Sequence, residues 1–184
     1  MNLFLRLLML VIRTRFAKRT HVNDEHALSF RVWLGDQDML QHMTNSRYLS
    51  FSDLAMIDFL MRTDMWRRLR KQGLHPLVAY KDIRMLRMLR FPQKFEVRTR
   101  MVGWIGPYVG MQHEFTSRGR VTATSLTIGR FIGKSKRPTL DELRISMGYD
   151  DVVNPEPSEE LVRLVALLEA ENDALKATKS TGAA

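Results

Sequence analysis

Two rhythms of apolar and polar residues run along this chain, and they divide it into elements. From Ser46 ("SRYLSFSDLAMIDFLMRTDMWRRLRKQG") apolar residues fall at Tyr48, Leu49, Phe51, Leu54, Ala55, Ile57, Phe59 and Leu60. They cover nearly the whole circumference of a helix, which predicts a helix buried on most sides. Thr44, Asn45 and Ser46 offer side-chain oxygens to cap its start. Arg67, Arg68, Arg70 and Lys71 suit the dipole at its far end, and Gly73 can stop it. The second rhythm has period two. Before the helix, Phe30, Val32 and Leu34 alternate with Ser29, Arg31 and Trp33, a strand ended by Gly35. After it, "PLVAYKDIRMLRMLR" is β-compatible with a noisy period. Phe95, Val97, Thr99 and Met101 then alternate with Lys94, Glu96, Arg98 and Arg100. Val109, Met111, His113 and Phe115 share a face, and "VTATSLTIGRFIG" is a threonine-rich strand. "IGP" and "SRGR" read as the turns between these strands.

The ends differ from this middle. "NLFLRLLMLVIRTRF" is an apolar run broken by Arg6 and closed by Arg13 and Arg15. It has about half the roughly 20 apolar residues of a spanning helix, and it lacks the basic leader and cleavage site of a signal peptide. A short interfacial helix with a basic end and a helix lying on the protein's own core both fit. "TLDELRISM" signals a short helix, and "NPEPSEELVRLVALLEAENDALKA" a strong one starting near Pro157 or Ser158, followed by "TKSTGAA", read as frayed. Three segments result: 1–20, 21–138 and 139–184. One long apolar helix followed by an antiparallel run requires the sheet to curl around the helix, an α+β layout.

Composition narrows the chemistry. The 184 residues carry no cysteine, which excludes disulfides, thiolate nucleophiles and cysteine-based metal sites. The 12 methionines suit an adaptable core. The net charge of +9 is uneven. Arg6, Arg13, Arg15, Lys18 and Arg19 stand in the first twenty residues with no acid, and residues 62–100 hold twelve Lys or Arg against Asp64, Asp82 and Glu96. Such a balance favours an anionic partner. No nucleic-acid-binding signature accompanies it, so nucleic acid is not expected.

One stretch concentrates polar chemistry: "GDQDMLQHMTNSRYL", residues 35–49, between the first strand and the long helix. Together with the order of elements, it resembles the acid–x–acid, His, Asn-Asn, Tyr-Leu pattern of the hotdog-fold thioesterases of the 4-hydroxybenzoyl-CoA type. The likeness covers about residues 26–135. "RVWLGDQDMLQHMTNSRYLSFSDLA", "RKQGLHPLVAYKDIRMLRMLRFPQKFEVRTRMVGW" and "GRVTATSLTIGRFIG" look most like the thioesterase superfamily member six group.

The resemblance implies a hotdog fold and a homodimer or dimer of dimers, with sheets joined edge to edge and sites at the subunit interface. It implies hydrolysis of acyl thioesters of coenzyme A or of an acyl carrier, with no cofactor beyond the CoA of the substrate and no metal. Asp38 matches the acid that acts as nucleophile or general base. His42 would orient water or the thioester, and Asn45 would bond substrate or cap the helix. Backbone N–H groups at residues 44–48 would hold the oxyanion, which brings Thr44, Ser46 and Tyr48 into the substrate-binding set. Arg84 and Arg87 would meet CoA phosphates.

Plainer readings stand beside these: Asp36 supporting the turn, Tyr48 packing, His113 a satisfied core histidine, and the arginines a solvated face. Thr44 replaces the first asparagine of the family pair, and Leu40 stands where the plant acyl-carrier enzymes carry asparagine. These departures motivate a rival, a non-catalytic acyl-CoA or lipid-binding hotdog protein at a membrane surface. A hotdog hydratase ranks last, because its loop sets four residues, an Asn-Pro among them, between acid and base, whereas three residues separate Asp38 from His42 and the Asn-Pro is absent. The expected location is the cytoplasm, with peripheral membrane contact through residues 1–20 left open.

Overall fold

Residues 3–134 and 138–181 are described by the computed structural model of the chain. Its axis is the helix that the near-continuous apolar pattern predicts, α2 (Asn45–Arg62), which buries Tyr48, Phe51, Leu54, Ala55, Phe59 and Leu60. The helical run does not continue unbroken to Gly73. Asp64 takes a left-handed backbone (φ 64°) and starts a second short helix, α3 (Met65–Lys71). The apolar pattern does not register this break, because aspartate is among the few residues that visit that region. Gly73 (φ 68°) then ends α3 as expected.

The sheet comprises β1 (His26–Arg31), β2 (His75–Lys81), β3 (Arg84–Met85), β4 (Lys94–Ile105), β5 (Tyr108–Ser117) and β6 (Arg120–Ile132). Its order is β1-β4-β5-β6-β2, with β3 also on β6, and every pairing is antiparallel. The meander thus holds for β4 to β6. Their second hairpin turns at Arg118 (φ 52°) and Gly119 (φ 70°), the left-handed pair that matches strand twist in a two-residue loop. The segment 75–85 joins the far edge beside β6. Strand β1 is shorter than the alternation predicts. It stops at Arg31, residues Leu34–Asp36 form a 3-10 turn, and Leu34 is exposed rather than inward.

The inner face of the sheet lies on α2. Phe95 meets Phe51 edge-on at 5.0 Å, and Phe115 meets Tyr48 at 5.3 Å. On the outer face α5 (Glu159–Thr181) seats Leu161, Leu164 and Val165 against Tyr108, Leu126 and Ile128. Helix α4 (Leu140–Ser146), capped reciprocally by Thr139 and Glu142, packs Leu140 and Leu143 with Phe59, Leu60 and Trp104. The chain end expected to fray stays helical to Thr181, and Gly182–Ala184 lie outside the described residues. The curled sheet around one central helix is the hotdog arrangement. Helix α1 (Phe4–Phe16) lies on α2 through Leu7 and Leu10. Among the described residues, no helix is long and apolar enough to cross a membrane.

Candidate active site

The stretch after the 3-10 turn closes on itself as a small hairpin. Gln37 bridges Met43, and the Asp38 N–H donates to the His42 carbonyl at 3.0 Å. Three residues remain in the loop, with Gln41 in the left-handed region (φ 58°) and its N–H donating to the Asp38 carbonyl. This is a three-residue hairpin with a bulge. It explains why an acid and a histidine four apart in sequence meet: they face each other across the hairpin neck. Asp38 Oδ2 lies 3.3 Å from His42 Nδ1, while Oδ1 accepts the Leu40 N–H at 2.9 Å. The Asp38 side chain keeps 34% of its surface open and His42 keeps 16%, so the pair is reachable yet partly desolvated.

Asp36 anchors this turn from below and is only 2% exposed. Its carboxylate accepts from the Trp33 N–H at 2.8 Å and from Arg6 at 2.7 and 3.2 Å, with Arg47 of α2 3.6 Å away. The Asp36 carbonyl accepts the Thr44 N–H at 3.0 Å, which ties the hairpin to the start of α2. Asp36 is therefore the support of the turn, as the plainer reading has it. Arg6 and Arg47 are the residues that sequence reasoning missed. The signal was available: Arg6 interrupts an otherwise apolar run, and a charge on a packed face needs a partner.

The start of α2 departs from expectation in one respect. Thr44 is the N-cap residue with extended backbone, but no side chain caps the helix. Thr44 Oγ1 instead bonds Ser46 Oγ at 3.1 Å. Asn45 and Ser46 are exposed at the first turn, so the helix start faces outward without a side-chain lid. Tyr48 is 2% exposed in the core, and burial pushes its hydroxyl pKa up. It packs in the core, edge-on to Phe115.

The two arginines part company. Arg84 is ion-paired with Glu160 of α5 on the outer face of the sheet. Arg87 instead shares a basic cleft with Arg118 and Arg120, floored by Leu89. The Leu89 carbonyl accepts the Met43 N–H at 2.7 Å, so this cleft adjoins the Asp38–His42 hairpin. Sequence spacing hid the cluster because Arg118 and Arg120 lie on a different hairpin, three strands along.

An apolar cavity lies elsewhere. Met56, Leu60, Leu77, Val78, Met111 and Phe131 are among its lining residues, and it encloses about 810 Å³ including its mouth. Along α2, at 1.5 Å per residue, it sits about 20 Å from the helix start. It opens at the β2 edge, where Leu77 and Val78 are 39% and 53% exposed. His113, expected as a satisfied core histidine, is half satisfied. Its Nδ1 meets Thr99 Oγ1 at 2.8 Å, its Nε2 has no partner among the described residues, and burial lowers its pKa to about 3.

Comparison with known proteins gives the family and the fold. Residues 32–166 match the family model of the thioesterase-like superfamily, and the chain belongs to that family. Protein THEM6 of Xenopus laevis is 30% identical over 155 residues, 83% of this chain and 73% of that protein, which agrees with the resemblance to the member six group. Among solved structures, the probable thioesterase YbaW of Escherichia coli superposes with a TM-score of 0.62 at 22% identity, covering 66% of this chain and 95% of that one. Slr0204, a 1,4-dihydroxy-2-naphthoyl-CoA thioesterase from Synechocystis, gives 0.57 at 12% identity, covering 71% and 100%. At these identities the structures bear on the fold, which is that of the hotdog thioesterases.

Proposed function

We propose that the protein hydrolyses acyl-CoA thioesters, with Asp38 as the catalytic carboxylate. The observation that carries this reading is the Asp38–His42 pair, 3.3 Å apart and solvent-accessible, beside a helix start that no side chain caps. Asp38 takes a proton from water as the water oxygen attacks the thioester carbonyl. In the nucleophilic variant Asp38 attacks that carbon itself and expels the thiolate, which is protonated by solvent, and water then hydrolyses the mixed anhydride to free acid and Asp38. His42 holds Asp38 and the water in register. The exposed N–H groups of Asn45 and Ser46 receive the oxyanion, where the helix dipole favours negative charge. The C–S bond then breaks, and the leaving thiolate takes up the proton. Arg87, Arg118 and Arg120 offer a place for the anionic end of CoA.

The acyl slot in this reading belongs to a second subunit. Lys81, at the end of β2, donates to the Leu49 carbonyl near the start of α2, whereas Pro76 and Leu77, toward the other end of β2, line the apolar cavity. Pairing two β2 edges antiparallel about a two-fold axis sets one subunit's cavity end against the other's α2 start. The exposed apolar edge supports such a homodimer: Val78, Leu86 and Met88 are 53%, 63% and 63% exposed, a liability that pairing removes.

The test is a panel of acyl-CoA thioesters of graded chain length, with release of free thiol as readout. Wild type turns over, and Asp38→Ala and Asp38→Asn lose a hundredfold or more of kcat, about the contribution of a general base. Undiminished turnover in both variants removes Asp38 from the reaction. Tight binding without hydrolysis across the panel favours the rival acyl-CoA-binding protein, which the missing asparagines at Leu40 and Thr44 motivate.

A further inference from the structure

Helix α1 carries two faces. Leu3, Leu7, Leu10 and Thr14 turn inward onto the core around α2. On the opposite side Leu5, Leu8, Met9, Ile12 and Phe16 are 65%, 47%, 55%, 54% and 85% exposed. At 100° per residue these five make one continuous stripe, and Arg13 and Arg15 flank it, roughly a quarter-turn to either side. Lys18 and Arg19 follow, Arg19 lying 3.4 Å from Asp64, and no acid occurs in the segment before Asp24. An apolar stripe bordered by cations on both sides, with no acid on the helix itself, matches the boundary between acyl chains and anionic headgroups. A protein partner of ordinary mixed charge would leave that cationic border unanswered.

The inner face makes a second connection. Arg6 leaves α1 to grip Asp36 at 2.7 Å, and its guanidinium stacks over Phe51 at 4.8 Å. Asp36 holds the base of the Asp38–His42 hairpin through the Trp33 and Thr44 N–H groups. Trp33 and Leu34 of the same turn are themselves 60% and 69% exposed. The helix with the lipid-like outer face is thus strapped to the turn that presents Asp38.

We propose that α1 seats the protein on an anionic lipid surface, and that Arg6 is a positioning residue transmitting this seating to the Asp38–His42 turn. The second half rests on the thioesterase reading only for its consequence in catalysis; the contact and the strap are physical properties of the fold. The seating would place the site beside acyl substrates that partition into the bilayer.

The experiment uses the full chain with phosphatidylcholine vesicles, with and without phosphatidylglycerol. Wild type sediments with anionic vesicles, more weakly with neutral ones, and less as salt rises. Leu5→Glu/Ile12→Glu, which changes only exposed positions, reduces vesicle binding tenfold or more at unchanged thermal stability. Equal binding by that variant, or no binding by wild type, overturns the seating. So does a shift of the variant to a smaller oligomer, which would make the face an interface between copies.

The strap is read by hydrogen exchange at the amides of residues 38–43, a measurement that does not require turnover. Arg6→Gln speeds exchange there, Arg6→Lys restores part of the protection, and anionic vesicles slow exchange in wild type but not in Arg6→Gln. Exchange identical in all three proteins overturns the coupling. Inactivity on every acyl-CoA with these binding and exchange results intact counts against the thioesterase reading alone.

Discussion

His113 shows at the residue scale how far a side chain can depart from its usual chemistry. It is wholly buried between Thr99 and Ser125 on the inner face of the sheet. Burial holds it neutral with a pKa of about 3, against about 6.5 when unfolded. The unfolded chain therefore binds a proton that the folded one refuses once pH falls below 6.5, and stability falls with it. From pH 6.5 to 5 the loss is about 2 kcal/mol, at 1.36 kcal/mol per unit. Burial also pushes the Asp58 carboxyl up, which acts with the opposite sign: its protonated form is favoured in the fold, so that strain is relieved as pH falls. The two are separated by comparing urea unfolding of wild type and His113→Gln between pH 7.5 and 5, where the variant shows the flatter curve. The alternation with Val109 and Phe115 was enough to place His113 inside. Its bond to Thr99 came from the register of two strands, which no local pattern encodes.

Elements meet where side chains leave room for them. Helix α5 can lie on the outer sheet because Gly110 has no side chain: a Cβ there would stand 2.8 Å from Leu161 Cδ2 and 3.1 Å from Val102 Cγ2. Gly110→Ala should destabilise the protein by about 1 to 3 kcal/mol through overpacking. Leu161→Ala alone should cost about 2 to 5 kcal/mol by leaving a void. Because the two groups compete for one space, the double variant should lose less than the sum of the singles, and chemical denaturation of the four proteins checks it. Both helices were legible, one from its leucine stripe and one from its all-round apolar pattern. The break at Asp64 was not, because it depends on a backbone choice at a residue that tolerates two, and the early end of β1 was not, because the alternation of Phe30, Val32 and Leu34 runs on past Arg31.

The whole molecule gains its meaning from the β2 edge. If Asp38 of one subunit works on an acyl chain held by its partner, neither Asp38→Ala nor a cavity-filling Leu77→Trp homodimer should turn over. Mixed after unfolding and refolding together, they should regain about a quarter of wild-type activity, since half the dimers are mixed and each carries one complete site. Zero recovery, with mixed dimers demonstrated by mass, would place site and slot within one subunit. If the β2 edges pair as proposed, sedimentation equilibrium should find wild type dimeric and Val78→Lys monomeric at the same concentration.

By itself the sequence determined that a long buried helix sits inside a curled antiparallel sheet, because periodicity and burial are local properties of the chain. The resemblance to the hotdog thioesterases also pointed to Asp38 and His42, and the hairpin that brings the two together is local to residues 37–43. What only the tertiary structure decided are the contacts between distant segments: Arg6 on Asp36, Arg87 with Arg118 and Arg120, Arg84 paired with Glu160, and an apolar cavity about 20 Å along α2 from its start. Each depends on which strands neighbour one another and in what register, and that order is set by the packing of the whole chain.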